Sequence, residues 1–171
     1  MILASNASSR ANKIERGTDG KKTRILGVDY GRKRIGLALS DGLGVTAQPL
    51  ATIVRTNRQN DLRQLREICR KHGIGQIVVG HPVHMSGEPS PMAGEVTRFA
   101  ARVQKELSIS VELVDERLTS WEARQTVAES GARQRLQTPV DDVAAAILLR
   151  DYLEQTREQS WRKTTEGTEK G

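Results

Sequence analysis

Three acidic residues stand at the edges of otherwise apolar segments. They are Asp29 in Ile-Leu-Gly-Val-Asp-Tyr-Gly, Glu116 in Leu-Val-Asp-Glu-Arg, and Asp141 at the start of Asp-Asp-Val-Ala-Ala-Ala-Ile-Leu-Leu. An ionised carboxylate beside Val28, Val114 or Ile147 is costly unless a cation or several hydrogen bonds compensate. Several carboxylates meeting at one point repel one another, and a metal removes that repulsion. Oxygen donors with few accompanying His or Cys favour magnesium or manganese over zinc, and such sites in nucleases and phosphatases commonly hold a metal pair. The pattern points to a phosphodiester hydrolase that works with two Mg2+ or Mn2+ ions.

Each acid also has a plainer reading. Asp29 can fix a turn through its own backbone, although aspartate is disfavoured in a strand and Gly27 and Gly31 leave room for a close approach. Glu116 can pair with Arg117. Asp141 and Asp142 fall in the first turn of a helix, where the dipole favours acids. On that helix Asp141 shares a stripe with Ala144, Ala145, Leu148 and Tyr152, and Asp142 shares one with Ala146, Leu149 and Leu153. Because the helix is apolar nearly all round, periodicity does not choose between them.

Positioning such a site takes alternating strands and helices. Arg24 to Tyr30 and Arg34 to Ser40 read as strands joined by a turn at Gly31, Arg32 and Lys33, and Leu50 to Arg55 as a third strand. Asp61 to Lys71 places Leu62, Leu65, Ile68 and Cys69 on one helical face and stops at Gly73, so Cys69 is expected in the core. A short strand, Gln76 to Gly80, breaks at His81-Pro82. Met92, Val96, Phe99, Val103 and Leu107 mark a longer helix ahead of the strand Ser110 to Val114, a parallel crossover. Thr119 and Glu122 have capping-box spacing for a helix ending near Gly131. Pro139 starts a last helix running to about Glu154. The sum is an α/β fold with a five-stranded mixed sheet, an antiparallel meander followed by parallel βα units, flanked by helices and similar to the ribonuclease H-like arrangement.

With 171 residues the chain has room for one full α/β domain. It is expected at 24–154, between disordered tails at 1–23 and 155–171 that are polar and lack periodicity. The single cysteine excludes an internal disulfide, and no apolar run is long enough to span a membrane. With no secretory signal at Met-Ile-Leu-Ala-Ser-Asn, a cytoplasmic protein is expected. The net charge of +6 suggests nucleic acid, but residues 1–23 hold +3 and 155–171 hold +1, which leaves the core modestly basic. Aromatics are 3% of the chain, too few for a single-strand binder built on stacking.

Four stretches, Leu-Gly-Val-Asp-Tyr-Gly-Arg-Lys-Arg-Ile-Gly-Leu-Ala-Leu-Ser-Asp (26–41), Val-Val-Gly-His-Pro (78–82), Asp-Glu-Arg-Leu-Thr-Ser-Trp-Glu-Ala (115–123) and Val-Asp-Asp-Val-Ala-Ala-Ala-Ile-Leu (140–148), resemble in order the motifs of the YqgF/RuvX family. The resemblance covers about residues 24–154. Members are described as pre-16S rRNA nucleases and as Holliday-junction resolvase-like. The resemblance implies a ribonuclease H-like fold, Asp29, Glu116 and Asp141 as metal-binding catalytic acids, and the 5′ end of the 16S rRNA precursor as substrate during ribosome biogenesis. His81 and His84 depart from the family pattern, which has an apolar residue and Asn there; surface exposure is the plainer reading and a polar contact to substrate the other. A metal bound by this histidine pair alone is disfavoured for want of further nitrogen or sulfur ligands.

Arg32, Lys33, Arg34 and Arg117 neighbour two of the acids and are the expected nucleic-acid contacts. Three other readings compete. A resolvase acting on branched DNA uses the same chemistry and requires a homodimer, for which the sequence shows no dedicated interface, so monomer and homodimer both stay open. A phosphotransferase of the actin and sugar-kinase type needs two such domains, and the chain supplies one without a Walker loop. A non-catalytic RNA-binding factor would have no need of all three acids.

Overall fold

A computed structural model describes residues 23–83, 86–88, 90–116 and 140–166. Five strands form one sheet: β1 (Arg24–Tyr30), β2 (Arg34–Ser40), β3 (Ala47–Val54), β4 (Ile74–His81) and β5 (Ser110–Asp115). Their order is β3-β2-β1-β4-β5. The first three strands pair antiparallel, and β4 and β5 add in parallel to β1. This is the mixed sheet expected from the sequence. β4 and β5 extend slightly further than the apolar pattern indicated and β3 starts earlier, at Ala47, while ending at Val54 short of the expected Arg55, because ladder pairing carries into polar positions such as Gln48 and His81.

Helices α1 (Arg58–His72) and α2 (Pro91–Leu107) make the two crossovers. Local chemistry fixes their ends. Asn57 caps α1 by accepting from the Asn60 amide, and Gly73 closes it with φ +64°. Ser90 caps α2 through the Ala93 amide at 3.0 Å and donates to the Pro82 carbonyl, with Pro91 leading the first turn. Helix α3 (Val140–Glu166) covers the opposite side of the sheet. It continues through Glu166 instead of ending near Glu154. In this extension Thr156 donates to the Tyr152 carbonyl and Ser160 to the Thr156 carbonyl. The expected C-terminal tail at 155–171 is therefore corrected: residues 155–166 belong to this helix. The expected helix from Thr119 to Gly131 and the tail up to residue 22 lie outside the described residues.

Because strand residues alternate between faces, the sheet separates two cores. Leu26, Val28, Ile35, Leu37, Ile53, Ile77 and Val79 pack under α1 and α2 with Leu62, Leu65, Cys69, Val96 and Val103. Ala38, Val78 and Val114 face α3 with Ala145, Leu148, Leu149, Tyr152 and Leu153. Cys69 is core, as expected, and burial pushes its thiol up to about 11. Among the described residues no helix is long and apolar enough to cross a membrane.

Candidate active site

Pleat and register put Asp29 on the α3 face at the carboxyl end of β1. Asp29 pairs across β2 with Gly36, which pairs with Thr52 of β3, and directly paired residues point to the same face. On the other side, the parallel register of Val28 with Val79 sets Gly80 beside Asp29. A row therefore crosses the sheet as Thr52, Gly36, Asp29, Gly80, with glycines on both sides of the acid.

Glu116 closes this row. It follows β5 immediately, and its Oε1 lies 2.5 Å from where a Cβ on Gly80 would be, with Leu148 Cδ2 of α3 at 3.3 Å. The carboxylate thus folds back over β4 into space that only glycine leaves open. Across that space Asp29 stands roughly two strand spacings, about 10 Å backbone to backbone, from the end of β5. The Glu116 carboxylate brings hard oxygen donors over the Gly80 backbone, with Asp29 on the neighbouring strand of the same face, at the strand ends where open α/β sheets place ligands.

Small residues bring α3 close. A Cβ on Gly27 would stand 2.8 Å from Leu149 Cβ and 3.1 Å from the Ala145 carbonyl, so the Leu149 side chain and the helix backbone rest directly on the strand. Asp142 is 3% exposed and accepts a short hydrogen bond from the Thr52 hydroxyl. It ties the helix start to β3. The side chain of Asp141 lies outside the described residues; on α3 it precedes Ala145 by four residues and Leu148 by seven, and those two residues contact the glycine positions 27 and 80.

The basic residues divide by place. Arg32 and Lys33 are exposed in the β1–β2 turn, which closes through the Gly31 amide and the Arg34 carbonyl at 2.9 Å. Arg55, just past β3, clamps the turn, its Nη1 donating to the Gly31 carbonyl at 2.8 Å and the Arg32 carbonyl at 3.0 Å. Arg34 falls on the Asp29 face as its diagonal neighbour. Arg117 and His84 lie outside the described residues. His81 ends β4 on the opposite face from Gly80, with Nε2 3.3 Å from the Thr97 hydroxyl of α2, so it turns away from the acids. Sequence reasoning missed the roles of Gly80 and Thr52. Both depend on pairings between distant strands.

A family model described as "RuvX: Holliday junction resolvase" matches residues 23–155. The chain belongs to the RuvX family. A "Putative pre-16S rRNA nuclease" of Moorella thermoacetica is 44% identical over 132 residues, covering 77% of this chain and 94% of the relative. A protein of the same description from Geobacillus kaustophilus is 42% identical, covering 78% and 99%. Among solved structures, Thermus thermophilus RuvC in complex with a Holliday junction substrate superposes with a TM-score of 0.51 at 14% identity, over 79% of this chain and 96% of that one. Thermus thermophilus RuvC alone gives 0.50, over 80% and 97%. These likenesses show the ribonuclease H-like fold that the RuvX motifs implied. With its fold and its relatives, the chain is an enzyme of the phosphodiester hydrolase class.

Proposed function

We propose that this protein is a metal-dependent nuclease that trims the 5′ end of the 16S rRNA precursor in the cytoplasm. The observation that carries the reading is the Glu116 carboxylate lying over Gly80, where a Cβ would displace it, on the strand position beside Asp29 and on the same face of the sheet. Two hard carboxylates fit a divalent magnesium or manganese pair, and Asp141 completes the set from the stripe of α3 that reaches Gly27 and Gly80. Among the described residues no three His, Cys, Asp or Glu side chains stand together as a metal site, and the Asp141 side chain is not among those residues.

When bound, the metal ions would supply activation of the attacking water and neutralisation of the leaving 3′ oxygen. The chain's own contribution is placement. Gly36 and Gly80 keep the floor flat enough for a phosphate to reach Asp29, and α3, anchored by Asp142 on Thr52, fixes the height of the third acid. Arg34, Arg32, Lys33 and Arg117 hold the flanking phosphates by charge-assisted hydrogen bonds. Branched DNA is the second reading, favoured by the family description and the RuvC-like fold.

The test is manganese- or magnesium-dependent cleavage of an RNA spanning the 16S precursor 5′ end, beside a four-way DNA junction, with Asp29→Asn as control. RNA cleavage that disappears in the variant is the expected result. Junction cleavage alone would replace it with the resolvase reading, and full activity of Asp29→Asn would remove the acidic site from either.

A further inference from the structure

A second basic feature lies on the face of the sheet opposite the acids. A cavity of about 430 Å³ opens between the first half of α1 and the middle of α2, lined by Arg55, Arg58, Arg98 and Arg102 over the rings of Tyr30 and Phe99. The volume falls in the range of small-ligand sites. The charge is not cancelled from within: of the two acids on its wall, Asp61 accepts the Thr56 amide and pairs with Arg55 Nε at 3.7 Å, which leaves Glu95 against the other three guanidiniums. Arg58, Arg98 and Arg102 carry no ion pair among the described residues. Arg98 and Arg102 are one helical turn apart and repel each other. Three cations around one cleft with a single acid facing them leave an anion able to join them.

The cleft is also connected to the site. Its floor is Tyr30, the residue after Asp29, with the Arg55 guanidinium 4.5 Å above the Tyr30 ring and the Phe99 ring 4.6 Å away. The same Arg55 holds the carbonyls of Gly31 and Arg32, so the exposed turn with Arg32 and Lys33 bridges the acidic face and the cleft. We propose that this cleft is a second nucleic-acid site, which takes the phosphodiester strand leaving the acidic centre. The strand passes over the Arg32–Lys33 turn and seats its phosphates between Arg58, Arg98 and Arg102, with the partly exposed Phe99 beneath a base. This rests on the nuclease reading for the identity of the ligand.

Binding separates the two. Fluorescence anisotropy with labelled single-stranded RNA, in EDTA and in an Asp29→Asn background, reads the cleft without any cleavage. Arg98→Gln with Arg102→Gln should weaken binding about tenfold or more and lower the salt slope by about 1.4, two single-strand phosphates at about 0.7 each. Arg70→Gln with Lys71→Gln, an equal charge change at the far end of α1, should leave the slope nearly unchanged. If the Arg102 change impairs folding, Arg58→Gln alone, at an exposed position, should still lower the slope by about 0.7. Equal losses in the cleft and control pairs, or no loss in the cleft pair, would overturn the proposal. Failure of the wild-type protein to cleave any nucleic acid would instead refute the nuclease reading and leave this binding result standing.

Discussion

The two faces of the sheet are built from the same strands to different rules. Under α1 and α2, β1 presents Leu26 and Val28, β2 presents Ile35 and Leu37, and β4 presents Ile77 and Val79, all fully or almost fully buried. Towards α3 the alternate residues of those strands are Gly27 and Asp29, Gly36 and Ala38, Val78 and Gly80. One face is filled by branched side chains at close packing. The other is thinned by glycine and alanine, so that a helix can come near and acids can stand over backbone. Strand periodicity lets one stretch of sequence serve both: a core on one side does not restrict the chemistry on the other.

This difference predicts opposite outcomes for similar changes. Asp29→Asn should abolish metal-dependent cleavage with little change in melting temperature, the largest effect on activity expected of any single atom pair. Gly80→Ala comes next. Its new methyl meets Glu116 Oε1, the far end of a flexible side chain, which can swing away. Stability should barely move while activity falls about 10- to 100-fold, the usual penalty for a misplaced catalytic group. Gly27→Ala meets Leu149 Cβ and the Ala145 carbonyl, which are fixed to the helix, so it should lower stability by about 1–3 kcal/mol. Thermal melts beside cleavage rates check both; an unstable Gly80→Ala with a normal rate would show that Glu116 is only a packing residue.

The adjacent aspartates at the start of α3 sharpen the same contrast. Asp142 is buried and bonded to Thr52, so Asp142→Ala leaves a hydroxyl without its partner and should destabilise the fold by about 1–3 kcal/mol. Asp141→Asn should leave the melting temperature near that of the wild type and remove cleavage. The reverse pattern would make Asp142 the metal ligand and Asp141 a helix-terminal charge.

Much of this was legible in the residues. The β1–β2 hairpin followed from Gly31 between two apolar alternations, the crossovers from Leu62-Leu65-Cys69 and Val96-Val103 at helical spacing, and the places of Asp29 and Glu116 from the ends of the apolar runs they close. What was not legible lies in contacts between distant segments. No spacing rule couples Thr52 to Asp142 or sets Gly80 under Glu116, because strand register decides both. The arginine cleft was hidden for the same reason, its members coming from three elements. The length of α3 was missed on different grounds: after Leu153 the apolar stripe ends, and Gln155 to Glu166 are polar with Trp161 73% exposed. Helix-forming Glu, Gln and Arg continue the backbone where burial no longer does.

At the far end of the α3 face a polar cluster makes the smallest and most local prediction. Tyr152 donates to Glu112 Oε2 at 2.7 Å and accepts from Gln76 Nε2 at 2.8 Å. Burial first, then the Glu112 hydrogen bond and charge, push its phenol up to about 12 from an ordinary 10.0. A phenol that holds its proton more tightly folded than unfolded stabilises the fold below the unfolded value, and this is lost as pH rises from about 10 through 12. Stability should therefore fall across that window, and ultraviolet titration of the two tyrosines should show one ionising late. Tyr152→Phe should lose about 0.5–1.5 kcal/mol at neutral pH and flatten the alkaline decline, while cleavage is unaffected because the cluster sits at the opposite end of the strands from Asp29 and Glu116. A changed cleavage rate in that variant would mean that the lower part of α3 controls the height of its acidic end.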